Sequence, residues 1–429
     1  MFDFDFKKIA NEYSNRNLLI IGNPPWVTNS KLGILNSTNL PKKSNFKNHS
    51  GLDAMTGKGN FDIAEFITLM MIENFQNAKG NLLLLIKNSV IKNLVYDQNK
   101  NQYKVAAFEK LCIDSKKEFD VSVQASLFYC KLNSNPKMTC HEFNFYESNT
   151  SYVEFGWLNG KFVSNIKTYD KVKEVDGNCP FIWRQGLKHD CSKVMELERV
   201  NGQYVNGFDE KTYLENGLVY GILKSSDLKN TVINRTRKYT IVTQRKVGQE
   251  TKQIKFDYPK TYQYLTDHLE RFQARKSSIY RNKPLFSIFG IGDYSFKPYK
   301  VAISGLYKTF HFTLVLPQDD KPVMLDDTCY LLGFAEIEYA VYTLILLNSK
   351  KTKKFLESIT FSDAKRVFTK DVLMRINIFN LAKNINRKEL QTELEKLNKK
   401  YSLNLTLNQW ENFKTKLKPV DNRQIELFT

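Results

Sequence analysis

The stretch Leu18-Leu19-Ile20-Ile21-Gly22, followed by Asn23-Pro24-Pro25-Trp26, decides how the rest of the chain is read. A short apolar run closed by glycine is a buried strand of the kind used in parallel sheets. Asn-Pro-Pro-Trp ends it. The two prolines remove two backbone donors and hold φ at about −65°, so the turn is stiff and keeps its flanking side chains in place.

Those side chains suit one kind of chemistry. An exocyclic amine conjugated to a purine ring is a poor nucleophile until acceptors hold its hydrogens and draw the nitrogen toward sp³ geometry. Asn23 carries a side-chain carbonyl, Pro24 a backbone carbonyl with no N–H of its own, and Trp26 a flat face for a base that has left the duplex. Asn-Pro-Pro-aromatic after an apolar strand resembles the catalytic motif of S-adenosylmethionine-dependent DNA adenine N6-methyltransferases of gamma order, from restriction-modification or phage-defence systems. The resemblance implies that Asn23, Pro24, Pro25 and Trp26 are catalytic, that S-adenosyl-L-methionine is the cofactor, and that double-stranded DNA is the partner.

At 429 residues the chain is long enough for two domains, each with its own core. Its 42% hydrophobic and 25% charged content is that of an ordinary globular protein. No apolar run reaches the ~18 residues of a membrane span. Asp3 and Asp5 open the chain unlike a signal peptide, so the expected location is the cytoplasm. Six cysteines without a Cys-x-x-Cys pair point to a reducing compartment and away from structural zinc. The net charge of +19 is uneven: residues 1–150 hold +4 and the other 279 hold +15, with 17 basic against 5 acidic side chains in 229–311. Basic side chains interleaved with Tyr, Phe and Gln are the footprint of a nucleic-acid surface.

Residues 27–60 are a long polar stretch, placed to close over an extruded base or to line DNA. Gly51 to Lys58 is no phosphate loop, because its glycine spacing is one residue too long and Gly59 stands where Ser or Thr belongs. A helix is expected over 61–75 with Asn60 as its N-cap. The resemblance carries Phe61 and Asp62 into the wall of the cofactor site, with plain core as the alternative for Phe61. Residues 80–86 read as a second buried strand, 102–112 as a short helix, and 119–129 as a turn leading into a strand. From the resemblance, Phe119 supplies the ring on the other face of the target base.

The expected fold class is therefore α/β. Residues 1–148 make the second half of a doubly wound, Rossmann-like methyltransferase sheet, and a mixed α/β target-recognition domain follows. The glycine-rich turn that holds the cofactor in the family has no place, since only 22 residues precede Asn23. Phe289-Gly290-Ile291-Gly292-Asp293 has the glycines, but Pro298 and the aromatics after it deny the required helix, so it reads as strand and turn. Half a sheet leaves an apolar edge in water. The expectation is a protein partner carrying the glycine-rich motif, or a truncated part of a longer protein.

Short aromatic-rich segments over 149–385 resemble the target-recognition domain of these enzymes, and 386–429 closes the chain as a helical segment. Arg184, Lys188, Arg245, Lys246, Arg275, Lys276 and Lys308 are the candidate DNA contacts; Arg reads guanine edges bidentately and Lys mostly pairs with phosphate. His189-Asp190-Cys191 reads as a structural turn, because no second ligand cluster completes a metal site. Asp326-Asp327 lacks the further acids and lysine of a nuclease, and Asp363 stands too far off in sequence. Residues 336–357, 386–399 and 407–415 read as helices.

The function expected is methyl transfer to a flipped adenine, driven by positioning and electrostatics with no metal or general base. Two alternatives stand beside it: a DNA-specificity subunit without catalysis, and an amino-methyltransferase acting on cytosine N4, RNA or protein amines.

Overall fold

Alternation along Gly80–Lys87 builds the first sheet: Gly80, Leu82, Leu84 and Ile86 are buried while the residues between them are partly exposed. A computed structural model describes residues 5–13, 15–27, 62–147, 151–308, 310–361 and 366–418. The chain divides into two units, one of residues 1–171 with 357–364 and one of 172–356 with 365–429.

Unit 1 holds seven strands: β1 (Leu18–Gly22), β2 (Gly80–Lys87), β3 (Val105–Cys112), β4 (Ala125–Leu132), β5 (Thr139–Asn144), β6 (Val153–Leu158) and β7 (Lys161–Val163). Their order across the sheet is β1-β2-β4-β3-β5-β6-β7. β1 pairs with β2 and β3 with β5 in parallel, and β4 runs against both β2 and β3. The carboxyl ends of β1, β2, β3 and β5 therefore share one edge, where open α/β sheets bind their ligands. Helices α1 (Phe6–Glu12), α2 (Ile63–Phe75) and α3 (Asn88–Asn101) accompany the sheet. Ala64, Ile72 and Phe75 of α2 and Ile91, Leu94 and Val95 of α3 pack on Leu82, Leu84, Phe108 and Phe128, and Phe6 and Ile9 of α1 join from the rim.

Three local expectations change. Residues 105–112 are a strand: Ala, Glu, Lys and Leu favour helix locally, but Val105 and Phe108 fill the core between β4 and β5, and burial outweighs propensity. The register slips between Ala106 and Glu109, where Ala107 takes a φ of 52°. The cap of α2 is Asp62, whose side chain accepts from the Ala64 N–H; Asn60 and Phe61 lie outside the described residues. The border drawn at 148/149 falls between β5 and β6, which pair with each other, so unit 1 runs on to 171.

Unit 2 has two sheets. One runs β11 (Lys211–Thr212), β10 (Gln203–Val205), β9 (Glu196–Val200), β14 (Lys238–Ile241), β12 (Val219–Leu223), β17 (Met324–Leu325). The other runs β13 (Val232–Ile233), β16 (Thr313–Val315), β15 (Tyr299–Ser304), β18 (Cys329–Phe334), β8 (Arg184–Gln185). The single helix expected over 336–357 is two, Ile337–Leu347 and Lys350–Ile359. They part at Asn348, whose side chain bonds the backbone of Phe312 through both its oxygen and its nitrogen (2.9 Å each). Helices Arg387–Tyr401 and Trp410–Lys416 belong to unit 2 rather than standing apart: Trp410 and Phe413 are buried against Tyr342. All six cysteines are unpaired. Among the described residues no helix is long and apolar enough to cross a membrane.

Candidate active site

Gly22 ends β1, and Asn23-Pro24-Pro25-Trp26 turns across the neighbouring strand. The Trp26 indole N–H donates to the Leu85 carbonyl of β2 (3.1 Å), which fixes the ring over the sheet edge. Pro24 is buried and Asn23 exposed. Among the described residues the Asn23 amide has no hydrogen-bond partner, so its carbonyl is open to a substrate. The Val27 carbonyl accepts from the Ile63 N–H (3.0 Å), which ties the end of the turn to the start of α2.

Asp62 arrives at the same place through α2. One carboxylate oxygen caps the helix at Ala64 N–H (3.0 Å) and the other pairs with Lys87 at the end of β2. Asn88, next in the chain, donates from its N–H to the Gln124 carbonyl (3.1 Å) and accepts from the Ser126 hydroxyl (2.7 Å). Lys87 had no sequence signal beyond its position after an apolar run.

Phe119 closes the site from 93 residues away. It ends α4 (Ser115–Phe119) and is 49% exposed. Its ring lies 6.0 Å from that of Trp26 at 88°, edge to face. The two aromatics expected on either side of a base are thus brought together. They touch one another in this arrangement, and a base stacked between them requires the rings to move apart as well as to turn parallel. The Tyr146 hydroxyl accepts from the Asp114 N–H (3.0 Å) and donates to Glu118 (2.8 Å), and Asp114 caps α4 through the Lys116 and Lys117 N–H groups. Sequence reasoning missed Tyr146, because nothing local links it to a helix 28 residues earlier.

In unit 2, Arg184 is exposed with its guanidinium 5.3 Å from the Tyr294 ring, and Arg245 lies 4.1 Å from that of Phe296. Lys246, Lys276 and Lys308 are exposed. Arg275 differs. Its Nε and Nη1 donate to the Phe272 (3.0 Å), Ser287 (2.7 Å) and His189 (3.3 Å) carbonyls, and its guanidinium covers the Tyr280 ring at 3.7 Å. That is a half-buried structural clamp. The His189 Nδ1 accepts from the Cys191 N–H (3.1 Å), leaving Nε2–H to face Glu196 (3.5 Å). Burial pushes the Glu196 carboxyl up, but hydrogen bonds from His189 and Lys224 overcome it and hold the group down at about 2. Asp326 accepts from the Thr328 N–H (3.1 Å), and Asp363 lies outside the described residues. No group of three or more His, Cys, Asp or Glu among the described residues is placed to hold a metal.

M.NspV, a type II methyltransferase of Nostoc sp. (strain ATCC 29411 / PCC 7524), is 40% identical over 387 residues, covering 89% of this chain and 80% of its own length. The chain belongs to the type II methyltransferases. No protein-family model matches it. The type IIL restriction-modification enzyme MmeI, solved in complex with DNA, superposes with a TM-score of 0.53 at 11% identity. That match covers 99% of this type II methyltransferase and 57% of MmeI, so the chain spans a little over half of that enzyme. It supports a shared fold.

Proposed function

We propose that this type II methyltransferase transfers a methyl group to the N6 amine of an adenine flipped out of double-stranded DNA. The observation that carries the reading is the open Asn23 amide at the end of β1, set beside the Trp26–Phe119 pair. The Asn23 and Pro24 carbonyls accept the two amine hydrogens and localise the nitrogen lone pair, while Trp26 and Phe119 hold the plane of the base. S-adenosylmethionine supplies an electrophilic methyl group when bound. The described residues fit the amine side of this reaction and offer the cofactor little. Asp62 already uses both carboxylate oxygens, and no glycine-rich turn adjoins β1 among the described residues. A further half-sheet, from a partner chain or from more of the same protein, is the proposed source of the cofactor site.

The test is methyl transfer to DNA by the assembled enzyme carrying Asn23→Ala. Activity is expected to fall at least ~100-fold, the scale of removing one group that stabilises the transition state, with DNA affinity within a few-fold of the parent. A fully active variant overturns the mechanism.

A further inference from the structure

Three separated stretches of unit 2 cross at one point. The Gly186 N–H donates to the Cys329 carbonyl (3.1 Å), the Leu187 N–H to that of Leu325 (2.7 Å), and Lys188 and Phe289 exchange both backbone hydrogen bonds (2.9 Å each). Two glycines permit the crossing. A Cβ on Gly186 would stand 2.3 Å from the Leu325 and Asp326 carbonyl oxygens, and one on Gly290, at φ +65°, would stand 2.0 Å from the Gly186 oxygen. Beside this rigid crossing opens a cleft of about 470 Å³ whose lining includes Lys188, Asp190 and Asp327 together with the buried His189 and Glu196. The Lys188 ammonium lies 3.3 Å from an Asp190 oxygen and 3.8 Å from one of Asp327, and the three side chains are 36%, 31% and 30% exposed.

We propose that Lys188, Asp190 and Asp327 determine sequence specificity by reading the major-groove edge of a C·G base pair, an inference that rests on unit 2 being the target-recognition domain. A lysine held between two carboxylates is a poor phosphate ligand, because the phosphate charge meets both acids at close range. A base edge is neutral and brings no such repulsion. Guanine presents two adjacent acceptors, O6 and N7, which suit the ammonium, and cytosine presents the N4 donor, which suits a carboxylate. Thymine presents the O4 acceptor where cytosine has its N4 donor, and that oxygen would face a carboxylate with no hydrogen between them. In the free protein the one ammonium is shared by both carboxylates, so docking exchanges these internal contacts for base contacts. The backbone crossing fixes their positions beforehand, which keeps the ordering cost of recognition small.

The experiment selects duplexes from a randomised pool with the full chain and sequences what is retained. The parent is expected to select a motif containing a C·G pair. Lys188→Met is expected to lose roughly ten-fold discrimination at that one position, with the other positions and the dependence of affinity on salt unchanged. Asp327→Asn should alter preference at the same position, and thermal melting of both variants should match the parent. Uniform weakening on all sequences, with the slope of log affinity against log salt reduced by about one, identifies a phosphate contact and overturns the inference. Selection that survives both substitutions also overturns it while leaving the recognition reading intact. A parent that selects no sequence removes that reading first.

Discussion

Lys300 shows what a single side chain costs this fold. It lies in β15 with 1% of its surface exposed, and its ammonium donates to the Lys297 carbonyl (2.7 Å) without a carboxylate partner among the described residues. Burial lowers its pKa to about 7, below the 10.5 of the free side chain. Between those values the unfolded chain keeps the proton that the folded chain has lost. Folding stability therefore rises with pH across that window and is at its lower level below it. Lys300→Met is expected to raise stability at pH 7 by roughly 1–3 kcal/mol and to flatten the rise toward pH 10, both read from denaturant unfolding at a series of pH values. A variant less stable than the parent at pH 7 would show that the bond to Lys297 outweighs the burial penalty.

The decisive element for the site is α4. Five residues cannot hold a helix by themselves, since nucleation fixes several dihedrals for one hydrogen bond. Two side chains outside the helical run supply what is missing: Asp114 caps its first turn and Tyr146 bridges the Asp114 N–H and Glu118. Phe119 takes its place over Trp26 because that clasp is closed. Tyr146→Phe keeps the ring and removes both hydrogen bonds. It is expected to raise the KM for DNA several-fold, with melting temperature and the motif selected unchanged. An unaltered KM would show that the loop after β3 holds Phe119 without the clasp.

Across the whole molecule, the feature that bears on the cofactor is the outer side of β1. Among the described residues that strand is last in the order of its sheet, and its outward residues Leu19 and Ile21 are 64% and 67% exposed, whereas Leu18 and Ile20 join the core. A doubly wound sheet covers both faces, so this edge fits the proposed cofactor-binding half. Calorimetry with S-adenosylmethionine is expected to give no binding for the chain by itself and binding once its neighbouring gene product is added. Replacing Leu19 and Ile21 with lysine should abolish that gain. Micromolar binding by the chain alone would place the cofactor site within it and remove the need for a partner.

The two strands of the parallel pair and the helix after the polar stretch were legible because each rests on local rules, apolar runs and periodicity, but the burial expected of Leu18–Gly22 is not met: the strand lies at the sheet edge, with Leu19 and Ile21 exposed. Local rules misled at 105–112, where helix-favouring residues become a strand because Val105 and Phe108 are needed between β4 and β5. They also misled at Asn348, which breaks a long apolar helix by bonding Phe312. What only the tertiary structure decided are the meetings of distant residues: Phe119 with Trp26, Asp62 with Lys87, Tyr146 with α4, and Lys188 with Asp327. Such meetings follow from sheet order and backbone crossings, which side-chain type in a linear chain does not encode one residue at a time.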